Sequence, residues 1–110
     1  MPESPIFTRT YDLLRWLLPV TVKFPRAQRF VLAERVQKTA LDFQEQLIDA
    51  GRAPQPKPLL QRADTTLTKL RLYLRLCRDL NLLNGGQYEH VARMVNEVGR
   101  LFGGWLKSAA

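Results

Sequence analysis

Apolar side chains return every three or four positions along most of this 110-residue chain, the spacing that keeps them on one face of an α-helix. Four helical segments fit that period, and no stretch alternates as a half-buried strand does. The first, over about residues 7–24, carries Phe7, Tyr11, Leu14 and Leu18 as a core-facing stripe. Pro19 interrupts its hydrogen-bond ladder, so the expectation is a bent helix or two short ones, ended by Phe24 and Pro25. The second, over about 27–49, sets Ala33, Val36, Ala40, Phe43, Leu47 and Ala50 in an unbroken three-four alternation. The third, over 67–83, reads LTKLRLYLRLCRDLNLL. Its Leu67, Leu70, Leu72, Tyr73, Leu74, Leu76, Cys77 and Leu80 sweep most of the circumference and leave a strip with Arg71, Arg75 and Arg78. A helix apolar on more than one side is buried on more than one side. The fourth, over about 87–107, points Val91, Val95, Val98, Phe102 and Trp105 inward, while Arg93, Arg100 and Lys107 recur every seven residues opposite.

Gly51 stops the second helix, Pro54, Pro56 and Pro58 stiffen the crossing to the third, and Asn84, Gly85 and Gly86 read as the turn before the fourth. Four amphipathic helices on short connections predict an all-α, up-down four-helix bundle, one domain over residues 1–110. The third helix has more apolar surface than such a core absorbs. Leu72, Leu76, Leu80 and Leu83 therefore form a second stripe, through which the chain is expected to self-associate. Gly99 and Gly103 lie inside the fourth helix, each costing roughly 1 kcal/mol relative to alanine. Close approach by another helix is the expected compensation.

Charge adds a partner class to this picture. The chain holds 17 Lys and Arg against 10 Asp and Glu, a balance that favours polyanions such as nucleic acid or an acidic membrane surface. The excess is in the second half: residues 1–51 carry seven basic and six acidic side chains, residues 52–110 ten and four. The second helix runs against its dipole, with Arg26 and Arg29 at the start and Asp42, Glu45 and Asp49 toward the end. Neighbouring helix ends that offset these charges, or an anion near Arg26 and Arg29, would both account for it. One cysteine makes no internal disulfide, and no long apolar run or signal-peptide pattern is present, so a cytoplasmic protein without a membrane partner is expected. Cys77 falls on an apolar arc, where a thiol behaves as a small hydrophobe.

No catalytic constellation emerges. His90 stands alone, without a second histidine or a cysteine to complete a metal site, so no catalytic residue, metal or cofactor is expected. Glu89 and Glu97 are eight apart with arginines nearby, which ion pairing explains. Arginine is more informative. Arg71, Arg75 and Arg78 at spacings of four and three make one ridge, and like charges so close repel unless solvent or an anion separates them. Phosphates along a nucleic-acid strand would relieve that repulsion without any base being read; a solvated face is the plainer alternative. Arg93, Arg100 and Lys107 form a sparser stripe to which the same two readings apply.

The pattern Leu70-Arg71-Leu72-Tyr73-Leu74-Arg75, followed by Asn96-Glu97-Val98-Gly99-Arg100-Leu101-Phe102-Gly103-Gly104-Trp105, resembles the accessory variability determinant (Avd) family of diversity-generating retroelements. Leu18-Pro19 and Phe24-Pro25-Arg26 match that family's kinked first helix and following turn. Residues 25–36 are also similar to the wider family of four-helix-bundle proteins encoded in ribosomal RNA intervening sequences. The Avd resemblance implies a four-helix protomer in a five-membered, basic, barrel-like homo-oligomeric ring. Such a ring would bind the retroelement's reverse transcriptase and RNA or DNA. It implies a non-enzymatic partner that supports error-prone copying of a template RNA, with Arg71 and Arg75 at the family's basic positions. The wider family implies instead a protein-interaction scaffold with no polymerase partner.

Overall fold

A computed structural model describes residues 4–109. Helix α1 spans Pro5–Val22 and a single turn, α2, spans Arg26–Gln28; a π-helical segment, Arg29–Ala33, leads without a break into α3, Glu34–Arg52. Helices α4, Lys57–Asp79, and α5, Gly85–Ser108, complete the chain, with no strand among the described residues. Packing runs around a ring, α1 on α3, α3 on α4, α4 on α5 and α5 back on α1. Chain neighbours are thus spatial neighbours, as short connections require. Helices α1 and α5 are antiparallel: Phe7 meets Trp105 at 6.0 Å between ring centroids near one end, and Trp16 meets His90 at 5.1 Å nearer the other.

The α3 stripe is as the spacing predicts. Ala33, Val36, Ala40, Phe43, Leu47 and Ala50 are all buried, and their side packs on α4 in the most extensive interface of the molecule. The helix continues to Arg52 and, after the π segment, opens with Glu34. The helical run nevertheless begins at Arg26, with no acid in that first turn, and Arg52 sets a cation beside Asp49 in the last. The Arg29 side chain lies outside the described residues.

Helix α1 departs from expectation. Tyr11 is 58% exposed, and the buried side is Ile6, Phe7, Thr10, Leu13, Leu14, Leu17 and Thr21. Two threonines are core positions because their hydroxyls are satisfied locally: Thr10 donates to the Ile6 carbonyl at 2.7 Å and Thr21 to that of Leu18 at 2.9 Å. The Gln37 amide donates to the Thr21 hydroxyl at 2.9 Å, tying α3 to α1. Pro19 lies inside α1, which is not divided into two helices there.

Helix α4 starts ten residues before the expected position, at Lys57 rather than residue 67. Its core stripe is Leu60, Ala63, Leu67, Leu70, Leu74 and Cys77. Only Pro54 and Pro56 belong to the crossing; Pro58 sits in the first turn of α4, where no N–H donor is needed. Thr66 and Thr68, poor helix formers, return their hydroxyls to the carbonyls of Arg62 and Asp64. The other end comes early, at Asp79. Asn81 adopts a left-handed φ of 61°, its N–H donates to the Arg78 carbonyl at 3.0 Å, and that of Leu82 to Cys77 at 2.8 Å. This is a Schellman termination with asparagine in the place glycine often takes. Leu83 is consequently off the helix and 2% exposed in the protomer's own core, so it is no part of the outer stripe. Leu72, Leu76 and Leu80 remain on that stripe, 46%, 40% and 54% exposed.

Asn84, Gly85 and Gly86 are not a free turn. Asn84 caps α5, its carboxamide oxygen accepting from the Gln87 N–H at 2.8 Å while the Gln87 side chain accepts from the Asn84 N–H at 2.9 Å. The two glycines occupy the first turn of α5. Asn84→Ala removes half of this reciprocal box and should cost about 1 kcal/mol, lowering Tm by roughly 4–8 °C in a chain of this size, as read by circular dichroism. Burial pushes the Cys77 thiol up to about 11, so a disulfide reagent at about pH 8 should label the protein only after denaturant is added. Rapid labelling of the folded chain would contradict that placement.

Candidate nucleic-acid interface

Helices α4 and α5 leave between them a groove of about 560 Å³. Thr68, Arg71, Leu72 and Arg75 form its α4 wall, and Tyr88, Ala92 and Asn96 its α5 wall. Apolar contact from Leu74, Val91 and Val95 floors it. Small Ala92 stands on the α5 side where α4 presents long arginines, and Gly99, beyond the groove, faces the end of one of them. A Cβ on Gly99 would clash with the Arg71 Nη2 and stand 3.4 Å from its Cζ. What meets Gly99 is therefore an arginine side chain rather than another helix backbone. Around Gly103, nothing lies within 4 Å of a built Cβ, so the close helix approach expected there is absent among the described residues.

The six cations singled out in the sequence divide by their partners. Arg78 is committed locally, its Nε donating to Asp79 at 3.0 Å and its guanidinium lying 4.6 Å from the centre of the Tyr88 ring. The adjacent Asp79 thus neutralises one end of the ridge. Arg93 donates to Glu89 at 3.1 Å. Arg100 grips Glu97 with two nitrogens, at 3.0 and 2.9 Å. Those hydrogen bonds hold the Glu97 carboxyl below the usual carboxylate range and push the Arg100 guanidinium above its ordinary value. Arg71, Arg75 and Lys107 form no ion pair among the described residues. Lys107 sits in the last turn of α5, where a cation suits the helix dipole. Only Arg71 and Arg75 are both free of acids and in the same groove.

Chemically the groove offers two forked donors over a polar rim with an aromatic at one end. Guanidiniums of this kind take phosphate or carboxylate in bidentate fashion. Tyr88, Thr68, Asn96 and Gly99 were not singled out by spacing as parts of the site. Asn96 and Gly99 do fall inside the second quoted motif, the one signal that marks them. His90 is exposed and rests against Trp16. No helix among the described residues is long and apolar enough to cross a membrane.

A second depression, of about 660 Å³, lies between α1 and α3 and is lined by Phe7, Tyr11, Gln44, Ile48 and Arg52. The Gln44 Oε1 is buried without a hydrogen-bond partner, and Tyr11 and Ile48 are exposed.

Comparison with curated proteins finds no match. A profile of the bAvd-like family matches residues 6–109, from the first turn of α1 to the residue after α5. That span includes both quoted motifs, the arginine pair and Gly99, and agrees with the accessory variability determinant resemblance. The chain belongs to the bAvd-like family, a family of Avd-type accessory proteins.

Proposed function

We propose that the protein is a non-enzymatic accessory subunit of a diversity-generating retroelement. In this reading it binds the reverse transcriptase and nucleic acid, RNA or DNA, and supports mutagenic copying of template RNA in the cytoplasm. The observation that carries the nucleic-acid part is the unneutralised pair Arg71 and Arg75 in one groove, while Arg78, Arg93 and Arg100 each hold an acid. Two exposed guanidiniums a turn apart without counter-charge repel weakly, and an anion bound between them would relieve that repulsion. The sugar-phosphate backbone has the matching charge and a regular spacing, and contact with it specifies no base sequence. Arg78, Arg93, Arg100 and Lys107 raise the local potential, and the first three exchange their internal acids for phosphate only at a cost.

Self-association into a ring, five-membered as in the family resemblance, is the second part. Three leucines 40–54% exposed along one helix face are the kind of surface that a partner covers. The α1/α3 depression with Tyr11 and Ile48 lies on other helices, and a head-to-tail ring needs two different complementary faces. A ring would also repeat Arg71 and Arg75 around its circumference, multiplying a field that one protomer lacks.

Replacing Arg71 and Arg75 together by alanine should weaken RNA and DNA binding at low salt. The slope of log affinity against log salt should flatten by roughly 0.7 per lost contact on a single strand and 0.9 on a duplex. Unchanged affinity and slope would remove phosphate contact from their role, and would favour the scaffold of the intervening-sequence type. Analytical sedimentation should show an oligomer at micromolar concentration that Leu72→Glu with Leu76→Glu converts to a helical monomer; a wild-type protein that is monomeric throughout sinks the self-association.

A further inference from the structure

We infer that Gly99 is a positioning residue for Arg71: the missing side chain at 99 is what lets the arginine reach across from α4 and lay its guanidinium on α5. Gly99 has this role only if Arg71 grips phosphate, as proposed above. The glycine is otherwise unexplained. It lies well inside α5, where glycine weakens a helix relative to alanine, and no glycine among the described residues has the positive φ that would demand one. Space is the requirement. A Cβ there would clash with the Arg71 Nη2, while Leu67 Cδ2 is already 3.9 Å away on the same side. Gly103, one turn further along the same helix, has nothing within 4 Å of its built Cβ. The two glycines of one motif therefore do different things.

The arginine held in this slot is not neutralised by its neighbours. The closest acid along α5, Glu97, is taken on both oxygens by Arg100, and Arg71 has no ion pair among the described residues. A guanidinium laid along a helix surface has lost part of its rotamer freedom before any ligand arrives, so less is lost on binding. Adding a methyl group at 99 displaces the flexible far end of a side chain and no backbone, so the guanidinium swings away while the bundle stays folded.

The test is titration of the full-length protein with a fluorescently labelled single-stranded oligouridylate at low salt. Gly99→Ala should lower affinity about two- to tenfold, the range expected when one ordered side chain must be immobilised afresh. Its melting temperature should equal or exceed that of the wild type. Gly103→Ala, with the same gain in helix propensity, should bind as the wild type does. In an Arg71→Ala background, Gly99→Ala should cause no further loss, because the group it displaces is gone. Arg71→Lys keeps the charge but has no flat fork to lie on the glycine, and should lose affinity with Gly99 intact. Wild-type affinity in Gly99→Ala or in Arg71→Lys, beside a loss in Arg71→Ala, overturns the positioning role and leaves the phosphate contact standing. So does a Gly99→Ala loss of equal size in the Arg71→Ala background. If Arg71→Ala itself binds normally, the phosphate contact and the role of Gly99 fall together.

Discussion

Everything in this fold depends on a single stripe of α3 having somewhere apolar to go. Val36, Ala40, Phe43, Leu47 and Ala50 are buried, and α3 packs on both α1 and α4. Alanine at two of these five positions lets the helices approach closely, while Phe43 reaches across to Phe102 of α5, edge to face at 5.5 Å. One aromatic contact thus ties together the two helices that are diagonal in the bundle. Truncating a buried phenylalanine of this kind costs about 3–5 kcal/mol, a large share of the roughly 5–15 kcal/mol that holds a domain folded. The ring of four rods closes around that contact, and closure fixes what each outer helix can offer to the surroundings.

Helix α4 shows the consequence. It gives one side, Leu60 to Cys77, to the closed core, with Leu59 and Tyr73 half-buried at its edge, and Leu72, Leu76 and Leu80 are left outside. The excess visible in its sequence is not a second buried side within the protomer. It divides instead into an exposed leucine face and an arginine face directed at α5. The division is geometric: Leu72, Leu76 and Leu80 follow one another at four-residue steps and so stay on one side, while Arg71 and Arg75 are offset toward the groove. The two faces meet at Leu72, which belongs to the leucine face and also lines the groove, so oligomer contact and anion contact adjoin on one helix.

The stripes that face a core on one side only were legible from spacing alone. That of α3 is buried throughout, and that of α5 from Val91 to Phe102, with Trp105 half-buried beyond it. Helix α1 was misread at Tyr11 because its true stripe includes Thr10 and Thr21, polar by composition but satisfied by their own helix. The start of α4 was hidden by prolines and threonines that the first turn and local hydroxyl bonds accommodate. Its end was hidden because Asn81 performs the left-handed turn while the more conspicuous Asn84-Gly85-Gly86 begins the next helix. That shift of register is what carries Leu83 from an outer stripe into the core. For the site, residue type marked the arginines, but which were free could not be read. Asp79 pairs with Arg78 as an immediate neighbour, outside the three- and four-residue spacing of helical ion pairs, and the freedom of Arg71 and Arg75 depends on the side-chain positions across two helices.

Arginine rather than lysine at position 71 follows from the same geometry. An ammonium is a compact point charge that solvent screens and that needs no slot. A guanidinium is flat, less strongly hydrated and able to lie on a surface while its edge donors stay available. Gly99 supplies such a surface, and Ala92 and Asn96 keep the adjoining wall low enough for a ligand to reach the fork. Glycine inside α5 weakens that helix by roughly 1 kcal/mol, and the reciprocal cap at Asn84 and Gln87 returns an amount of the same order at its start. The helix that forms the floor of the groove is thus held firmly at its end and left bare in its middle, where the arginine crosses.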